Sequence, residues 1–109
     1  MDGLFLGPKR NYEDFKKQIP KSALSMFGSL REYCLSLGNN VVEDVRAHRI
    51  VFGKSLSFRW FVDLEPEGNS IIVKIQRDRK EPFQIKTITN EQELDALKAT
   101  ISDAYNTIR

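Results

Sequence analysis

The chain has 109 residues, long enough for one hydrophobic core and too short for two. Hydrophobic residues make up 40% and charged residues 29%, which excludes a disordered polyelectrolyte; 17 basic residues against 15 acidic leave a net charge of only +2, so any electrostatic role must come from local clustering. A single cysteine, Cys34, rules out an intramolecular disulfide and a multi-cysteine zinc site, and no apolar run is long enough for a membrane span or a secretory leader.

Met1 to Arg10, with two glycines, Pro8 and the apolar Leu4, Phe5 and Leu6, reads as a flexible tail or linker remnant; residues 11–109 read as one domain. From Asn11 a short capped helix is expected through Tyr12, Phe15 and Ile19, broken at Pro20. Ser22 is the expected cap of the next helix, whose stripe of Ala23, Phe27, Leu30, Cys34 and Leu37 recurs at three- and four-residue spacing, with Arg31 and Glu32 on the opposite side. Gly38, Asn39 and Asn40 supply left-handed residues to end it.

Between Val41 and Ile88 the period falls to two and β-branched and aromatic residues accumulate. Val41–Val45 and Arg49–Phe52 are short strands. Phe58–Glu65 and Ile71–Gln76 form a hairpin around Pro66, Glu67, Gly68 and Asn69, and Phe83–Ile88 follows the charged loop Arg77 to Lys80. Alternation in the first hairpin strand places Phe58, Trp60, Val62 and Leu64 on the core side and Arg59, Phe61, Asp63 and Glu65 on the outer side. The last helix carries Leu94, Leu97, Ile101, Ala104, Tyr105 and Ile108 on one face, and either Thr89 with Gln92 or Asn90 with Glu93 forms its capping box. The fold class is therefore α+β: an antiparallel sheet of four strands, five if both short segments pair, with an N-terminal amphipathic helix and a C-terminal helix packed on one face.

Catalytic chemistry finds little support. Cys34 lies on an apolar stripe, where a thiol stays protonated, and His48 has no second histidine with which to share a metal. Asp63 and Glu65 point from one face of a strand, but a nuclease-type metal site would want an acid-x-lysine motif on the next strand; Lys74 instead follows Val73 and Ile72. A solvated sheet edge is the simpler reading of these acids. The glycines stand alone rather than forming a phosphate loop, so neither a catalytic set, a metal site nor a cofactor is expected.

Two surfaces remain. Phe61 and Ile72 among Arg59 and Lys74 on the outer sheet face suit contact with another protein or a covalently linked domain, or a homodimer. Arg46, Arg49, Arg77, Arg79 and Lys80 suit phosphate contacts with DNA or RNA if they converge, with Phe61 as a stacking platform. A cytoplasmic location is expected for either.

The run Phe61-Val62-Asp63-Leu64-Glu65-Pro66 and the ending Leu97-x-x-x-Ile101-x-x-Ala104-Tyr105 resemble a bacterial and archaeal domain of unknown function. That domain is found at the C-terminus of chains labelled predicted transport proteins, behind a restriction-endonuclease-like module. The resemblance covers roughly Met26 to Ile108 and implies a helix, a four-stranded antiparallel sheet and a closing helix, serving as an accessory module with no catalytic residues to carry over. The expected function is thus a non-enzymatic interaction or accessory module; the alternative is a nucleic-acid-binding accessory domain in a nuclease-type system.

Overall fold

The computed structural model describes residues 10–57 and 59–109, so the tail reading of the first residues lies outside it apart from Arg10, as does the placement of Phe58. The first described element is α1 (Tyr12–Phe15), capped by the Asn11 side chain, which accepts from the Asp14 amide at 2.9 Å. A tighter 3₁₀ turn over Lys16–Gln18 follows. Phe15 and Ile19 are buried, and Pro20, extended in backbone conformation, breaks the chain where expected.

Helix α2 (Lys21–Ser36) starts directly after Pro20, and no side chain caps it. Ser22 is therefore not the cap: proline's fixed φ launches the helix two residues early, and the Ser22 hydroxyl instead bonds the Asn69 side-chain oxygen in a distant hairpin. Ala23, Met26, Phe27, Leu30 and Cys34 form its buried stripe. Arg31, expected on the free side, folds over the Tyr12 ring and makes a two-pronged pair with Glu43, the second prong at 3.0 Å. Gly38 is not left-handed. Its requirement is steric, because a methyl group there would collide with the Tyr105 hydroxyl, which donates to the Asn40 side-chain oxygen.

Five strands then form one antiparallel meander in sequence order: β1 (Val41–Val45), β2 (Ile50–Lys54), β3 (Trp60–Glu67), β4 (Ser70–Ile75) and β5 (Gln84–Ile88). Both short segments pair, so the five-stranded form of the expected sheet is the one found. The β3–β4 hairpin is tighter than its sequence suggested: Pro66 and Glu67 belong to β3, Glu67 faces Ser70, and only Gly68, at φ +58°, and Asn69 turn. Pro66 is tolerated because β2 reaches only as far as the Ile50–Leu64 pair, leaving no neighbour to ask for the missing N–H.

Register sets the two faces. Ile50, Phe52, Val62, Leu64, Ile71, Val73 and Ile75 point to the helices and are at most 2% exposed. Between the Phe52–Val62 and Gly53–Trp60 pairs β3 carries one extra residue, Phe61. This bulge sends Phe61 inward beside Val62, where it is fully buried with its ring 5.4 Å from that of Tyr105, and turns Trp60 outward. Both expectations for these residues are thereby reversed: Trp60 is not a core anchor, and Phe61 is not on the outer face.

Helix α3 (Glu91–Thr107) closes the core with Leu94, Leu97, Ile101 and Ala104, and Ile108 is buried just beyond it. Its start resolves the two capping alternatives. Asn90 accepts from the Glu93 amide at 2.8 Å, while the Glu93 carboxylate reaches back to the Thr89 amide at 2.7 Å and hydroxyl at 2.9 Å. Helices α2 and α3 pack on the same sheet face and on each other, with the Tyr33 hydroxyl donating to the Lys98 carbonyl at 3.0 Å between them. No described element covers the opposite face, and the molecule measures 24 Å along its shortest axis.

Candidate functional site

The open face is ordered by the strand register into rows. One row runs Asp44, Val51, Asp63, Lys74 and Ile85 across all five strands, and a second joins Glu65, Ile72 and Thr87. A third, at the far strand ends, sets Val42 against Gly53 and Gly53 against Trp60. Because Gly53 has no side chain, the floor there drops into a shallow groove of about 440 Å³ with Val42, Val51 and Trp60 as apolar walls and Asp44 and Arg46 nearby. Glycine is needed, since a Cβ would stand 2.9 Å from the Arg59 carbonyl oxygen across the bulge.

Apolar side chains reach solvent on this face. Val42 and Phe83 are each 43% exposed and Ile85 is 57% exposed; Trp60 is half-buried, its ring edge-on to Phe83 at 5.8 Å. The Lys74 ammonium stands 5.9 Å from the Phe83 ring. Of the four residues expected on this contact surface, Ile72 and Lys74 are on it and half-buried, Phe61 is in the core, and Arg59 sits at the strand ends.

Asp63 occupies the middle strand, not a solvated edge, and is buried. Arg49 approaches it at 3.4 Å without hydrogen-bond alignment, so Arg49 Nε and Asp63 Oδ1 are both buried with no hydrogen-bond partner among the described residues. Burial raises the Asp63 pKa above its ordinary value; the Arg49 and Lys74 charges pull it down, and Glu65 adds to the rise. An incompletely satisfied charge pair thus lies in the centre of a sheet face that no described element covers.

The basic residues divide. Arg46 and Arg49 belong to the β1–β2 connection, where Arg46 pairs with Asp44 at 3.0 Å and His48 is exposed in the bend. Arg77, Arg79 and Lys80 follow β4 at the opposite end of the strands, so the five expected phosphate contacts do not converge. Three of them do, and Arg59 and Arg109 join them around a cleft of about 370 Å³. Nothing in composition pointed to Arg109, but the hairpin register carries the signal for Arg59. Counting outward in equal steps from Gly68 and Asn69 brings Arg59 opposite Asp78, between Arg77 and Arg79.

Cys34 is buried and desolvation pushes its thiol far above the ordinary range, so it is a packing residue held as the neutral thiol. Among the described residues no three histidine, cysteine, aspartate or glutamate side chains gather to hold a metal, and no helix is long and apolar enough to cross a membrane. No protein-family model, curated protein or solved structure matches the chain.

Proposed function

We propose that this chain is a non-enzymatic interaction module that docks a partner protein, or a covalently linked domain, on the open face of its sheet. The observation that carries the reading is the sheet face that no described element covers, with Val42 and Trp60 at the Gly53 groove, Phe83 against Trp60, and Ile85 on the far strand, all exposed or half-exposed. Aromatic and apolar side chains beside an arginine are the composition of interface centres, and exposed apolar residues gathered on one face mark contact surfaces. The Arg49–Asp63 pair lies beneath that surface. Arg49 Nε and Asp63 Oδ1 are both buried and unpartnered among the described residues, so they mark strain beneath the face and not groups a docked surface can reach.

Carboxylates at Asp44 and Glu65 favour a protein over a polyanion on this face, since phosphates would meet them directly. The accessory role implied by the family resemblance agrees with the reading but does not carry it. The motif residues Phe61 and Tyr105 touch each other in the core and hold the bulge rather than a ligand.

The test compares tagged wild-type chain with a face variant, Val42→Ser, Trp60→Ser and Ile85→Ser combined, and with the control Leu56→Ser, a residue 93% exposed in the β2–β3 connection. Cross-linking in the source cells should yield a defined partner with wild type and control, and none with the folded face variant. The same partner recovered with all three would end the proposal. A symmetric dimer, read by light scattering, is the special case in which the partner is a second copy.

A further inference from the structure

The basic end of the sheet is a second site, independent of the open face. We infer that the cleft between the Asp78–Glu81 turn and Arg59 binds an oligophosphate group, a run of linked phosphates carrying several negative charges.

Five cations, Arg59, Arg77, Arg79, Lys80 and Arg109, line this cleft with a single acidic side chain, Asp78. What matters is which of them are already occupied. Arg77 is spent: it donates to Asp103 at 2.8 Å and to Glu81 at 3.2 Å, and so pins the loop to α3. Asp78 is also occupied, because its carboxylate accepts from the Lys80 amide at 2.8 Å and its carbonyl from the Glu81 amide at 3.0 Å. These bonds shape the turn that presents Arg79 and Lys80, both exposed and without an ion-pair partner among the described residues. Across the cleft the Arg59 backbone is held by the Lys54 amide on its carbonyl at 3.0 Å and by its own amide on the Ser57 hydroxyl at 3.3 Å.

The C-terminus of α3 also borders the cleft, and its free carbonyls would repel an anion. Lys54 removes much of that repulsion, since its ammonium donates to the Ile108 carbonyl at 2.8 Å. The result is a fixed turn and a fixed strand end offering two guanidinium forks and an ammonium to one space. A carboxylate neutralises one charge; linked phosphates supply tetrahedral oxygens in pairs, the geometry guanidinium groups bond two at a time. The cleft is large enough for a few phosphates and lies within the range of small-ligand sites.

Titration calorimetry of the full chain with tripolyphosphate tests this, alongside Arg59→Gln/Arg79→Gln, Arg46→Gln at the opposite end, and sulfate as a simple anion. Saturable binding to wild type is expected, stronger than to sulfate. The double variant should bind about tenfold weaker or worse, as expected for lost charge-assisted bonds, and Arg46→Gln should be unchanged. Absence of saturable binding, equal affinity for sulfate, or equal weakening by Arg46→Gln would overturn the site in favour of a diffuse positive field. Competition names the source. Displacement by an oligonucleotide lacking a terminal phosphate assigns the phosphates to a nucleic-acid backbone; displacement only by a 5′-triphosphorylated one assigns them to a compact oligophosphate end.

Discussion

Asp63 is a carboxylate that folding makes harder to ionise. Its pKa is raised in the folded chain, chiefly by burial, so the native state binds its proton more tightly than the unfolded state does. Linkage then fixes the sign. Stability contributed at this position is present below the ordinary aspartate value and is lost as pH rises from there through the raised folded value. Asp63→Asn should therefore raise the urea midpoint at neutral pH and lose that advantage as the pH falls below the aspartate range. An equal or greater midpoint for wild type at pH 7 would show that the Arg49 contact outweighs burial. The pairing of Asp63 with Lys74 follows from the tight Gly68–Asn69 turn, which the four-residue turn read from the sequence does not set, and the burial of Asp63 was not legible either. That depends on Arg49 and on neighbouring strands whose order the sequence leaves open.

Among the elements, β3 departs most from what its sequence suggests. Strict alternation from Phe58 onward puts Trp60 inside and Phe61 outside, and one extra residue in the strand exchanges them. A bulge leaves no composition signal here; only the contact with Tyr105, far along the chain, fixes which aromatic is inside. Helical stripes were easier to read, because Leu94, Leu97, Ile101 and Ala104 repeat one turn after another with no partner strand to shift them. The bulge predicts an inverted pair of costs. Phe61→Ala should cost about 3–5 kcal/mol, as for a buried phenylalanine, whereas Trp60→Ala should cost only about 1–2 kcal/mol, although it deletes the larger side chain. Urea denaturation of the two variants measures both. A costlier Trp60 variant would restore the simple alternation.

At the scale of the whole molecule, protection is lopsided. β3 and β4 each have strands on both sides and helices below, while β5 is a sheet edge with Gln84 to Thr87 all exposed. Native-state hydrogen exchange should find the slowest amides in β3 and β4 and markedly faster exchange in α1 and β5. Equal protection in β5 would mean that its edge is covered in solution. Lys86, on the helix-side face of that edge yet exposed, is the sort of inward-turned charge that discourages strand addition. The β5 edge is thus guarded while the broad face beside it is not, so at this side of the sheet association falls to side chains rather than to backbone pairing.

The outward turn of Trp60 has one practical consequence, because it is the only tryptophan in the chain. Its indole fluorescence reports on the open face and not on the core. A docked protein that dries the Gly53 groove should shift the emission to the blue, while oligophosphate bound beyond the strand ends should leave the wavelength nearly unchanged. The molecule carries its own optical probe for telling its two surfaces apart.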